Sequence, residues 1–297
     1  MISKVVAQLR HPMTFEGLRT GVESAIRRAR KPTTASVVAR YGECMIVVRE
    51  VEYDVDGLTM IAHLAHPDGE GPWPAVLIGH DGVGLEQYQR RRADILAERG
   101  YVVLALDYHA GRTYFGQPQA MLDRVMPLLA DPARMHAIGR AGLDALLAVP
   151  GVDTTRLAAL GYGAGGRIVL ELARTGTPFA AIAVVHPALP AACADDWTDV
   201  DATFLLCTGS EDPLCTPGQL TSFASALQEA GRDWYVNVYG GAQHAFWADP
   251  KSSADAGNPD RSVATVPGVG HHAAHARRAW RAVLDLLDDA IGQPGGS

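Results

Sequence analysis

The chain has 297 residues, 47% of them hydrophobic, with a formal net charge of -7. That composition suffices for one large core, and the scattered arginines form no basic stripe, which speaks against a nucleic-acid partner. No apolar run is long enough to cross a bilayer and Met1 to Arg10 lacks a signal-peptide core, so a soluble cytoplasmic protein with no membrane partner is expected.

Thr14 to Lys31 carries Phe15, Leu18, Val22 and Ile26 at helical spacing before Pro32, which predicts an amphipathic helix packed on its own domain. Residues 1–44 are read as an N-terminal helical extension and 45–297 as one α/β domain. Alternation over Met45 to Tyr53 and Leu58 to Ala65, around Asp56-Gly57, predicts an antiparallel hairpin. Strands are then predicted over 75–79, 101–106, 156–160, 179–186, 202–207 and 234–239, with helices over 86–99, 132–148, 166–175 and 218–230. Such alternation predicts a mostly parallel, doubly wound sheet with helices on both faces, and sites just after the strand C-termini.

Residues 249–270 read as a long surface loop and 271–291 as an amphipathic helix. His271 and His275 lie one turn apart without the carboxylate of an H-E-x-x-H motif and are read as solvated, so no metal is expected. Cys44, Cys193, Cys207 and Cys215 lack zinc or redox spacing and are read as free thiols.

The most informative stretch is Arg156 to Ala173, where an apolar run enters Gly161-Tyr162-Gly163-Ala164-Gly165-Gly166 and leaves as a helix. Strand, sharp turn and helix in this order are the setting of the G-x-S-x-G nucleophile elbow, here with Gly163 at the tip. Gly163, Asp212 and His244 follow the chain order nucleophile, acid, histidine. Together with Gly209-Ser210-Glu211-Asp212, His244-Ala245-Phe246 and Ala279-Trp280, the elbow residues resemble the dienelactone hydrolase family of α/β-hydrolases, from about Met45 to the last helix. The resemblance implies an α/β-hydrolase fold and places the family's nucleophilic Cys at Gly163, where no acyl-enzyme can form. It also places a carboxylate-holding Arg near Ala248, and Asp81 where the family tends to carry Glu.

What remains is Asp212 and His244 as a general-base dyad, with the backbone N–H groups of Ala164 and Gly82 as an oxyanion hole. Glycine at the tip relieves the strain of positive φ and opens space for a ligand. His80, Asp81, His109, Arg112, Tyr114, Phe115 and Trp247 are candidate substrate-binding residues, each with an ordinary structural role as its alternative. His186 alone reads as a structural histidine. The expected function is a cofactor-free enzyme acting on a small apolar or aromatic carbonyl compound by hydrolysis, C–C or cyclisation chemistry, or oxygenation. The alternatives are a catalytically silent ligand-binding or partner-stabilising relative, and an ester or lactone hydrolase whose nucleophile has been substituted. A homodimer stays open beside a monomer.

Overall fold

The structure, a computed structural model, describes residues 37–41, 44–191, 193–248 and 267–292. Its strands are β1 (Val37–Tyr41), β2 (Cys44–Val55), β3 (Leu58–Pro67), β4 (Trp73–Gly79), β5 (Val102–Leu106), β6 (Val152–Tyr162), β7 (Ala181–Val185), β8 (Thr203–Gly209) and β9 (Trp234–Tyr239). They form one sheet in the order β1-β2-β3-β5-β4-β6-β7-β8-β9. The pairs β1/β2, β2/β3 and β3/β5 are antiparallel, and every pair from β5/β4 onward is parallel.

The reasons are local. Asp56 and Gly57 both take positive φ, 51° and 76°, the requirement of a two-residue type I′ turn, and they set Val55 opposite Leu58. Strands β4, β5 and β7 are buried at every residue, as parallel strands covered on both faces must be.

The helices are α1 (Gln87–Glu98), α2 (Pro118–Leu129), α3 (Pro132–Leu147), α4 (Ala164–Ala173), α5 (Pro217–Glu229) and α6 (Ala273–Ile291). Alternate strand residues feed two cores: Ala75 and Leu77 join the layer containing residues of α2 to α5, while Val76 and Ile78 join that of α1 and α6.

Three expectations are corrected. Among the described residues the sheet already includes Val37–Tyr41, inside the stretch assigned to a helical extension, because residues 37–41 pair with the first part of β2. Helix α2 was not anticipated: Pro118 suits its first turn, but Pro127 removes a donor from its interior and disguises it. Helix α6 begins at Ala273 rather than 271, since the His272 side chain caps it by accepting the His275 N–H. The helix expected over 14–31, and most of the loop expected over 249–270, lie outside the described residues.

Candidate active site

The elbow is built by close packing. Gly163 links β6 to α4 with φ 51° and ψ -116°. A Cβ on Gly161 would come within 2.7 Å of the Gly165 carbonyl, and one on Gly79 within 2.6 Å, so only glycine lets α4 start against β6 and β4. Ala164 is the first helical residue, and its N–H has no acceptor within the helix. The positive end of the α4 dipole therefore lies at the turn. A Cβ on Gly163 would lie 3.2 Å from His186 Cε1 and 3.5 Å from Asp81 Cβ, so a side chain at this tip would point between those two residues.

Asp212 follows β8 and His244 follows β9, and the structure brings them together. His244 Nδ1 lies 2.9 and 3.0 Å from the two Asp212 carboxylate oxygens. Oδ1 of Asp212 also accepts the backbone N–H groups of Leu214, at 2.8 Å, and Cys215, at 3.2 Å. The His244 backbone is held by the Gly268 carbonyl and the Gly270 N–H. The Asp212 side chain has 0% exposure and the His244 ring 15%, so the acid is sealed and the imidazole reachable. With Nδ1–H donating to the carboxylate, Nε2 keeps a lone pair and can accept a proton.

The loop after β4 carries His80, Asp81 and Gly82. The Asp81 carboxylate accepts from Tyr88 Oη at 2.9 Å and from the Val83 N–H at 3.0 Å. Burial pushes its pKa up, against the pull of His80 and these hydrogen bonds. His80 donates from Nδ1 to the Asp81 carbonyl, at 2.6 Å, and stacks on Tyr108 at 3.8 Å. His109 donates from Nε2 to the Gly82 carbonyl, at 3.0 Å, with its ring edge-on to Tyr114. Burial first, and His80 second, push the His109 pKa down to about 3, so it is neutral near pH 7. These histidines shape the loop that presents Gly82. Helix α2 seals it, since a Cβ on Gly82 would meet Met121 Sδ at 3.2 Å and Val125 at 3.4 Å.

The remaining candidates are placed differently. Trp247 is buried, stacked on Tyr162 at 3.8 Å and edge-on to Tyr88 at 4.9 Å, within the α1/α6 core. It also borders a cavity with Arg92, Val185, Ala276 and Trp280, which shares none of the dyad residues. Tyr114 and Phe115 are half-buried, and Arg112 is exposed, with its backbone N–H on the His109 carbonyl. Sequence reasoning missed two apolar residues beside the dyad: Leu214, 54% exposed, and Val269, 36% exposed and bridged to His244. It also assigned no site role to His186, whose ring stands 4.5 Å from that of His244. Among the described residues no group of three His, Cys, Asp or Glu could hold a metal, and no helix is long and apolar enough to cross a membrane.

This strand order, with an elbow after β6 and helices on both faces, defines an α/β-hydrolase fold. Residues 60–291 match the profile of the dienelactone hydrolase family, and the chain belongs to that family. Among curated relatives it is 26% identical over 206 residues to a probable 2-oxo-3-(5-oxofuran-2-ylidene)propanoate lactonase of Bradyrhizobium sp, covering 66% of this chain and 82% of that one. It is 31% identical over 152 residues to the esterase FrsA of Salmonella typhi, covering 50% of this chain but only 34% of that relative's length. Among solved structures, the dienelactone hydrolase-like promiscuous phosphotriesterase P91 from metagenomic libraries is 30% identical, with a TM-score of 0.74 over 83% of this chain and 99% of that one.

Proposed function

We propose that this chain hydrolyses a small ester or lactone by direct attack of water, without a covalent intermediate. His244, oriented by Asp212, is the general base, and the backbone N–H groups of Ala164 and Gly82 hold the oxyanion. The observation that carries the reading is the Asp212–His244 pair, a sealed carboxylate with both oxygens on Nδ1 of a partly open ring.

In the step proposed, His244 Nε2 takes a proton from water as the water oxygen bonds to the carbonyl carbon. The carbonyl π pair becomes an oxyanion facing the α4 N-terminus. Collapse of the intermediate breaks the bond to the leaving oxygen, which receives the proton back from His244. The products are a carboxylic acid and an alcohol, or a hydroxy acid from a lactone. Gly163 has no atom to acylate, which is why water is the nucleophile in this reading.

The lactonase and esterase relatives support a carbonyl substrate of this class. Leu214 and Val269 beside the dyad favour an apolar or aromatic substituent, and Ala248 offers no cation to a carboxylate. The test is His244→Gln assayed with 4-nitrophenyl acetate and with dihydrocoumarin. A loss of about 10²- to 10⁴-fold in kcat at unchanged Tm is expected; an unchanged rate removes the dyad from the mechanism. Gly163→Ser adds a discriminating arm, because a large gain in esterase activity with an acylated Ser would favour a hydrolase whose nucleophile has been substituted.

A further inference from the structure

His186 follows the last residue of β7, beside the elbow. The two segments are laced together: the Gly163 N–H donates to the Val185 carbonyl at 3.2 Å, and the Ala188 N–H to the Gly163 carbonyl at 3.1 Å. His186 itself is held at φ 42°, a left-handed conformation that strains a residue with a Cβ, and its N–H donates to the Cys207 carbonyl. This backbone sets the imidazole against the turn, 3.2 Å (Cε1) and 3.5 Å (Nδ1) from where a Gly163 Cβ would lie. The ring is wholly buried and perpendicular to that of His244, with an interplanar angle of 81°.

Among the described residues neither ring nitrogen has a hydrogen-bond partner in another residue; the one backbone group that acts on the ring is that of His186 itself. A neutral imidazole carries one donor and one acceptor, and leaving either unmet in a protein interior forfeits its hydration with nothing in exchange. An apolar ring would fill the same volume without that cost. A strained backbone that delivers a buried imidazole, with Nδ1 at the tip of an elbow and no partner in another described residue, is the mark of a group that binds something there.

We infer that His186 is a positioning residue: together with His244 it holds the attacking water over the Gly163 turn, where a nucleophile's side chain would otherwise project. The inference rests on the water-attack reading above and names the residue that reading lacks. One O–H of the water points to His244 Nε2 and the other to the His186 lone pair, which leaves an oxygen lone pair for the carbonyl carbon. On attack the oxygen–carbon bond forms, the proton passes to His244, and His186 keeps its hydrogen bond to the new hydroxyl. Burial, and then His244, push the His186 pKa well below the usual histidine value, so it does not compete for that proton. Glycine at 163 is part of the device, because a larger residue would crowd the ring.

The test uses the full chain with 4-nitrophenyl acetate. His186→Phe keeps the ring volume and removes both nitrogens, whereas His186→Gln restores a polar terminus. The expected result is a 10- to 100-fold fall in kcat for His186→Phe, with KM and Tm little changed, and partial recovery in His186→Gln. A wild-type kcat in His186→Phe overturns the inference, and so does an equal loss in both variants accompanied by a lower Tm, which marks a packing residue. An acyl group found on His186 after quenching overturns it too, since the ring would then be the nucleophile. If His244→Gln and the wild type turn over at equal rates, it is the dyad reading that fails. A high-resolution crystal structure of the free protein then decides this inference separately: an ordered water bonded to a His186 nitrogen and within reach of His244 Nε2 supports it, and its absence overturns it.

Discussion

Two histidines flank the elbow, their ring centroids 4.5 Å apart, and their surroundings are opposite. His244 has a carboxylate on Nδ1 and backbone hydrogen bonds on either side. His186 has a left-handed backbone, a wholly buried ring and, among the described residues, no hydrogen-bond partner in another residue for either nitrogen. The difference teaches that side-chain type and proximity do not set the role. A partner that stabilises the imidazolium makes a base, while burial without one makes a neutral ring that can only donate or accept a hydrogen bond.

The largest effect comes from breaking the partnered side. Asp212→Asn should lower kcat by about 10²- to 10⁴-fold, as loss of general-base function does, with little change in Tm. Steady-state kinetics on an aryl ester and thermal melting check this together. Removing the aromatic packing beside His186 breaks the comparison by another route. Trp247 stacks on Tyr162 at 3.8 Å and lies 6.2 Å from the His186 ring at a shallow 17°. Trp247→Ala should cost about 3–5 kcal/mol of stability, read from urea denaturation.

His109 sharpens the comparison, being a second buried imidazole held neutral. Its folded pKa of about 3 lies below the unfolded value of about 6.5. Between these values the unfolded chain binds a proton that the folded chain does not, so its contribution is fully present above pH 6.5 and is lost as pH falls towards 3. Stability should fall by up to about 1.4 kcal/mol per pH unit in that window from this group, and His109→Gln should flatten the slope in urea titrations at several pH values. The smallest effect belongs to the rim. Leu214→Ala should raise KM for an apolar aryl ester about threefold with kcat unchanged, as expected for uncovering one or two methylenes.

Much of the fold was legible because its signals are local. Asp56-Gly57 specifies a turn by its own chemistry, short apolar runs mark strands buried on both faces, and the glycines from 161 to 166 announce a close strand-to-helix approach. Helix α2 escaped because Pro127 contradicts helical propensity and packing against the Gly82 loop overrides it. The association of Asp212 with His244 follows from chain order on this fold. His186 could not be singled out in that way: what distinguishes it is the positive φ after β7 and, among the described residues, the lack of a ring partner in another residue, and neither is written in the local sequence. Leu214 and Val269 meet the dyad through a loop turn and an isolated bridge, neither of which leaves a periodic trace.

The most direct measurement of the central claim is the intact mass of the wild-type protein, acid-quenched during steady-state turnover of 4-nitrophenyl acetate. Water attack predicts the unmodified mass, with nitrophenol released from the first turnover without a burst. An acetylated protein, with a burst of one equivalent, would contradict it.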